Sequence, residues 1–190
     1  MNRIVKIITL TALLSILLFG ACARTDGKSS TDTTAVTNFQ FYSISEGLKK
    51  AKELDRPIMI DFFTSWCKWC KVLDEKVYAH PDIKSYLANN FVSIKINGEG
   101  RTQHNIQITH KDDGTIIINK SNSKSSESVL AQTMGVRSYP TIVFFTSDGK
   151  IIAGLEGFRP ADEFIHIVRY IGSSAYTSMT FEEYMKSEQK

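Results

Sequence analysis

The stretch Ile58-Met59-Ile60-Asp61-Phe62-Phe63-Thr64-Ser65-Trp66-Cys67-Lys68-Trp69-Cys70-Lys71 narrows the choice of folds more than any other part of this chain. Ile58 to Phe63 is a short apolar run around one acid, with Pro57 in front of it, and such a run reads as a buried central strand. The strand then delivers Cys67 and Cys70, three positions apart. If a helix begins near Cys67, the two cysteines lie on neighbouring corners of its first turn, close enough to close a small disulfide.

A thiol at a helix N-terminus faces unpaired backbone N–H groups and the positive end of the helix dipole, and both favour its thiolate. Lys68 and Lys71 add positive charge nearby. Together these predict a Cys67 thiol that ionises more readily than an ordinary cysteine. Cys67 is then the nucleophile, and Cys70, one turn deeper and more shielded, is placed to resolve a mixed disulfide.

The segment Asp61-Phe62-Phe63-Thr64-Ser65-Trp66-Cys67-x-x-Cys70-Lys71 resembles the active-site segment of the thioredoxin family. That family also keeps a cis-proline loop opposite the cysteines, and Ser138-Tyr139-Pro140-Thr141 stands where the resemblance requires it. The match runs from about Phe39 to Gly172 and implies an α/β thioredoxin fold, a mixed central sheet flanked by helices. The tail after the cysteines, Lys71 to Phe91, is similar to a periplasmic subgroup that includes the C-terminal domain of the bacterial transmembrane thiol-transfer protein.

A chain of 190 residues is long enough for one domain with a substantial core. Arg3 and Lys6, an apolar core from Ile7 to Phe19 and small residues before Cys22 form a secretory leader. Even counted from Ile4 the segment spans only about 24 Å as a helix, against a hydrocarbon core of about 30 Å. Leu18-Phe19-Gly20-Ala21-Cys22 resembles the bacterial lipoprotein box, with Phe19 departing from the usual leucine. On this reading residues 1–21 are a signal peptide, Cys22 is lipidated and ties the chain to a membrane, and 22–37 are a polar tether. Cleavage after Ala23, giving a soluble periplasmic or secreted protein, is the alternative. Lipidation of Cys22 would leave the other two of the three cysteines as one clean pair. The formal charge of +3 falls to about +1 once the leader departs, and no basic run interleaved with aromatics suggests nucleic acid.

The body, 38–172, reads in order as a strand at Asn38–Tyr42, a helix carrying Leu48, Ala51 and Leu54, and the central strand with its cysteines. A helical stripe through Val72, Leu73, Val77 and Tyr78 follows, then a helix opened by Pro81 and an alternating strand over Phe91–Ile96. Gly98 to Ser125 departs from the family as an insertion of twenty-eight residues, too many for a passive loop. It reads as a β-hairpin over His104–His110 and Thr115–Asn119 with a Ser/Lys-rich return, lying beside the active-site end where it can select partners. A short helix through Val129, Leu130 and Met134 ends at Gly135 before the Pro140 loop. Two strands about Ser147-Asp148-Gly149-Lys150 and a helix opened by Pro160 complete the domain. In the extension, 173–190, Thr180-Phe181-Glu182-Glu183 has the form of a capping box.

Asp61 is an acid within a run expected to be buried, where an unpaired charge costs several kcal/mol unless the group neutralises. The resemblance implies that Asp61 moves the proton of Cys70 and that Lys95 lies near Asp61. It implies as well that the residue before the cis-proline, Tyr139, pairs with substrate backbone. Trp66 and Trp69 are expected to flank the disulfide as an apolar docking surface. His104 and His110 would stand about 20 Å apart along a strand, too far for one ion, and read as surface histidines. No cofactor is expected.

These readings converge on a thiol–disulfide oxidoreductase of the cell envelope, leaning to a reductase, with protein disulfides as substrates and a membrane thiol donor. The chain is expected to be a monomer. Lys68-Trp69 replaces the family's common Gly-Pro between the cysteines, so the redox potential stays open across about −120 to −270 mV. Two other classes remain: a module in which Cys67 and Cys70 give two soft ligands to zinc or copper, and a client-binding module in which redox is secondary.

Overall fold

The computed structural model describes residues 38–189. The proposed leader, the Cys22 lipidation site and the tether lie outside the described residues. Six helices and six strands follow in the order α1 (Ile44–Leu54), β1 (Ile58–Phe63), α2 (Lys68–Val72), α3 (Pro81–Asn90), β2 (Val92–Asn97), β3 (Gln103–His110), β4 (Ile116–Ser126), α4 (Glu127–Thr133), β5 (Thr141–Phe145), β6 (Ile151–Glu156), α5 (Ala161–Gly172) and α6 (Phe181–Glu188).

The main sheet has the order β2-β1-β5-β6. β1 runs parallel to β2 and antiparallel to β5, and β5 pairs antiparallel with β6, so the sheet is mixed as expected. Strand parity assigns its two faces. Ile58, Ile60 and Phe62 of β1, with Val92, Ile94 and Ile96 of β2, pack into one apolar layer with α1, α4 and the β3–β4 hairpin. Met59, Ile142 and Phe144 face the other layer, with Leu73, Val77, α3 and α5. Asp61 shares the parity of Met59 and Lys95 sits opposite it in the β1–β2 register, so both belong to this second face.

Local chemistry accounts for most of the helix ends. Ser43, Ser126 and Thr180 cap α1, α4 and α6 through their hydroxyls, and Glu183 completes the capping box. Pro81 opens α3 and Pro160 precedes α5. Leu54, expected on the buried stripe of α1, is half exposed, because Asp55 turns left-handed directly after it and ends the helix. Val129 is likewise exposed, while Leu130 and Ala131 bury.

Three expectations are corrected. Asn38–Tyr42 is not a strand: it contributes one parallel bridge, Tyr42 to Ile94, with the Tyr42 N–H donating to the Ser93 carbonyl at 2.9 Å. Phe39 and Phe41 instead pack their rings against Tyr78, at 6.1 and 5.4 Å between centroids, and this aromatic contact replaces further pairing. The stripe beyond α2 is helical as expected and buries Leu73, Val77 and Tyr78, but its form is a π-helical segment, Leu73–Tyr78. The Ser/Lys-rich return of the insertion is strand as well, part of β4, with a register break opposite His104 and Ile106.

Only the root of that hairpin lies at the cysteine end of the sheet. Its other end reaches the β5–β6 turn, where Ile117 bridges Lys150 and the Ile118 N–H donates to the Gly149 carbonyl at 2.9 Å. Ile106 and Ile118 are buried in the same layer as α1, and this apolar contact draws the hairpin along the sheet rather than over the cysteines.

Candidate active site

The register of β1 decides what surrounds the cysteines. Its last pairs are Phe62 with Thr141 and Phe63 with Asn97. The loop ending at Pro140 therefore stands on one side of the chain leaving β1, and the segment beginning at Gly98 on the other. The Gly98 N–H donates to the Phe63 carbonyl at 2.8 Å, and the Gly157 N–H to the Pro140 carbonyl at 2.8 Å, so a fourth loop, between β6 and α5, joins the group.

Cys67 is the N-cap of α2, and its Sγ accepts the Cys70 N–H at 3.1 Å. The two cysteines are joined as a disulfide with Cα atoms 5.3 Å apart. The expected difference in shielding is not seen: Cys67 is 3 % exposed and Cys70 2 %. The bond holds the Cys67 sulfur inward over the first turn of α2. Lys68, the first residue of that turn, is exposed.

Trp66 and Trp69 flank the disulfide and are 65 % and 56 % exposed, which agrees with a docking surface rather than core packing. Trp66 meets Tyr139 edge to face at 6.0 Å, and Trp69 lies 5.1 Å from Phe158. The Tyr139–Pro140 bond is cis. Pro140 is buried and Tyr139 half-buried.

Asp61 is fully buried, with the Lys95 Nζ 3.3 Å from its Oδ2. Lys95 also pairs with Asp74, whose half-exposed carboxylate comes from the π-helical segment. The ammonium lies 5.0 Å from the Phe41 ring centre, 5.1 Å from that of Phe63 and 5.7 Å from that of Tyr78. Burial, against the opposing pull of Lys95 and with the Asp74 charge adding to it, raises the Asp61 pKa to about 6. Burial, with Asp61 and Asp74 nearby, also holds the Tyr78 hydroxyl well above the ordinary tyrosine range. An acid poised near neutrality can both take and give a proton at physiological pH.

Asp74, Tyr78, Phe158 and Glu99, whose Oε2 accepts the Trp66 indole N–H at 3.0 Å, also belong to the site, and sequence reasoning missed their part in it. Asp74 stands four residues after Cys70, and that spacing was its one visible signal. His104 corrects an expectation: it is half-buried at the hairpin root, its Nε2 3.5 Å from Glu127 Oε1. The Glu127 N–H donates to the Thr102 carbonyl at 3.1 Å, which ties the start of α4 to the segment before β3. His110 is exposed, its ring nitrogen 2.8 Å from the Thr133 carbonyl. Among the described residues, no three His, Cys, Asp or Glu side chains gather where they could hold a metal, and no helix is long and apolar enough to cross a membrane.

Comparison with known proteins agrees with this geometry. The chain is similar to the thiol:disulfide interchange protein DsbD of Photorhabdus laumondii, 25 % identical over 111 residues that make up 57 % of this chain and 15 % of that protein. It spans 15 to 22 % of the length of the first three such relatives. Among solved structures it resembles a thioredoxin-fold protein from Helicobacter pylori, with a TM-score of 0.59, 22 % identity and coverage of 72 % of this chain and 86 % of that one. A thioredoxin from Thermus thermophilus superposes with a TM-score of 0.52 and 21 % identity, covering 70 % and 86 %. The thioredoxin-like domain matches residues 44–172, which hold the cysteine pair, Asp61, Lys95 and the cis-proline alike, and the chain belongs to that family.

Proposed function

We propose that this chain is a thiol–disulfide oxidoreductase of the bacterial cell envelope, acting on protein disulfides through Cys67 and Cys70. The observation that carries the reading is the Cys67–Cys70 disulfide at the N-terminus of α2 in one site with the cis Tyr139–Pro140 bond. In the reducing direction the Cys67 thiolate attacks one sulfur of a client disulfide. The Cys67–client bond forms, and the client's other sulfur leaves and takes up a proton. Cys70 gives its proton to Asp61 and attacks the Cys67 sulfur, so that the Cys67–Cys70 bond forms and the second client thiol departs. The client gains two electrons and two protons, and a dithiol donor returns the same number to the protein.

The Cys70 N–H, already directed at the Cys67 sulfur, supports a Cys67 thiolate, and Lys68 adds charge beside it. Lys95 holds Asp61 in place. Tyr139 offers its backbone to an extended client segment, with Trp66 and Trp69 on either side. We favour the reductase direction because the neighbourhood of the cysteines resembles proteins recharged by a membrane thiol donor, and an oxidising envelope supplies disulfides to reduce. A membrane thiol donor would recharge the pair, and lipidation of Cys22 would keep the domain, taken as 38–172 with its insertion, at the membrane as a monomer.

The first test is the Cys67–Cys70 potential, equilibrated against glutathione or dithiothreitol. A value near about −250 mV or lower supports the reductase, and one near about −120 mV makes the protein an oxidant. Failure to form the disulfide, with stoichiometric zinc or copper bound, would sink the enzyme reading. Cys70→Ser should accumulate mixed disulfides with clients through Cys67, whereas retained client binding without such adducts would favour the binding module. Cys22→Ala should move the protein from the membrane fraction to the soluble one.

A further inference from the structure

β6 is the outer strand of the main sheet, with β5 on its inner side. The Gly157 N–H donates to the Pro140 carbonyl at 2.8 Å, and the antiparallel register runs on from there with Thr141 opposite Glu156. Because such a ladder alternates, Leu155 and Ala153 make the next bonds to β5, while Gly154 and Glu156 turn their N–H and carbonyl groups to the free side. Ala153 and Gly154 are exposed, and a Cβ at Gly154 would meet nothing within 4 Å. A glycine inside a strand marks a place where another backbone can come close. Ile151–Glu156 holds neither proline nor lysine, the residues that commonly protect an edge from further pairing.

Beside this edge, on the second face of the sheet, lies a cavity of about 670 Å³. Leu155, Ile167, Ile171, Phe181 and Met185 give it apolar walls, and the last two belong to α6, beyond the residues that match the family domain. Ala153 and Leu155 also line it, so every second residue of a strand added to β6 would point into the same space. The charged groups at its rim are Asp162 and Glu163, in the first turn of α5, and Arg159, with His166 one turn further along the helix. Both acids are exposed, and neither is in an ion pair among the described residues. Arg159 Nη1 donates to the Phe158 carbonyl at 2.9 Å, and Phe158 packs on Trp69. The groove thus begins where the cysteine site ends.

We propose that β6 and this cavity form a second docking site for protein clients, one that takes an extended client segment as an added strand. The segment carries apolar residues at alternate positions and a basic residue toward the cysteine end. This rests on the oxidoreductase reading of the site. Main-chain bonds to Gly154 and Glu156 supply affinity, and the apolar cavity selects the side chains. Two acids against one arginine at the rim favour the basic residue. A client held beside Phe158 keeps its disulfide at high effective concentration over Cys67, although the docked segment touches neither sulfur.

The probe is an acetylated, amidated Lys-Thr-Val-Thr-Val-Thr-Ile peptide carrying a fluorophore, with binding read by anisotropy. The parent protein should bind it, and should bind the same peptide with glutamate in place of lysine about twofold to fivefold more weakly. Asp162→Lys combined with Glu163→Lys should reverse that preference. Gly154→Pro removes an outward N–H at an edge position where proline is tolerated, and should weaken binding about fivefold, one net hydrogen bond's worth. Gly154→Ala keeps the N–H and should bind as the parent does. If Gly154→Pro does not fold, the charge reversal still decides.

With dithiothreitol as donor, unlabelled peptide should raise the KM for insulin and leave hydroxyethyl disulfide turnover unchanged. Binding indifferent to both Gly154→Pro and the charge reversal, or no competition with insulin, would overturn the assignment. So would a parent dimer that Gly154→Pro dissociates, since a second copy would then cover the edge. Anisotropy needs no turnover, which separates this inference from the proposed function. If the parent reduces neither disulfide, the oxidoreductase reading fails while the binding results still decide whether β6 accepts a strand. If both disulfides are reduced and the peptide does not bind, the docking inference fails alone.

Discussion

Asp61 is a residue whose cost to the fold and use in the chemistry have the same origin. Fully buried and offset only in part by Lys95, it binds its proton up to about pH 6, above the ordinary carboxylate value of 3.8. Between these values the native disulfide form holds a proton that the unfolded chain has released. The stability is therefore fully present below the unfolded value and lost as pH rises through the folded one. Urea unfolding of the oxidised protein should show a loss of about 2 kcal/mol between pH 4 and pH 7 from this group. Asp61→Asn should flatten that slope, stabilise the protein at pH 7 and slow resolution of the mixed disulfide by Cys70. A variant that loses stability at every pH would show that Asp61 serves packing instead. Lys95→Met should push in the other direction: without the ammonium, Asp61 titrates higher still and Asp74 loses its partner, so the pH slope should extend upward.

At the scale of elements, the β3–β4 hairpin is the chain's main departure from a plain thioredoxin-like sheet, and it is built into the core. Ile106 and Ile118 are almost completely buried against the α1 layer, so truncating either to alanine should cost about 2–4 kcal/mol in denaturant unfolding. A passive loop would show no such loss. Gly149 ties the hairpin's far end: its φ is +88°, and a Cβ would overlap the Ile118 carbonyl oxygen. Gly149→Ala should therefore destabilise by more than about 1 kcal/mol, with the cysteine site unaffected. The π-helical segment is the second departure. It brings Asp74 to Lys95 and buries Leu73, Val77 and Tyr78.

For the whole molecule, the sheet separates two apolar layers, and the proposed chemistry sits at one end of the second. α6 packs on α5 through Phe181 and Tyr184, whose rings lie 5.3 and 5.4 Å from that of Tyr170. It also walls a cavity of about 670 Å³ with β6 and α5, and neither cysteine lines this space. A chain ending at Gly172 should therefore lose about 2–4 kcal/mol of stability from the apolar area it uncovers while keeping its disulfide exchange. Loss of exchange along with stability would mean that α6 supports the site from behind.

The central strand, the cysteine spacing and the capping residues were legible in the chain because each is a local signal, and the cis-proline segment was legible through the family resemblance. An apolar run, a three-residue spacing, a proline or a serine before a helix carries its physical reason within a few residues. Asp61 was legible for the same cause, as an acid in a run too apolar for it. The Phe39–Phe41 stretch, the π-helical turn and the path of the hairpin were not. Their outcomes turn on contacts between segments far apart in sequence: Phe41 with Tyr78, Asp74 with Lys95, Ile118 with Gly149, Trp66 with Glu99. Local sequence determined which pieces form and where the sulfurs are. Tertiary structure decided which charges meet beneath them and which wall a client would touch, because those energies exist only once the layers have packed.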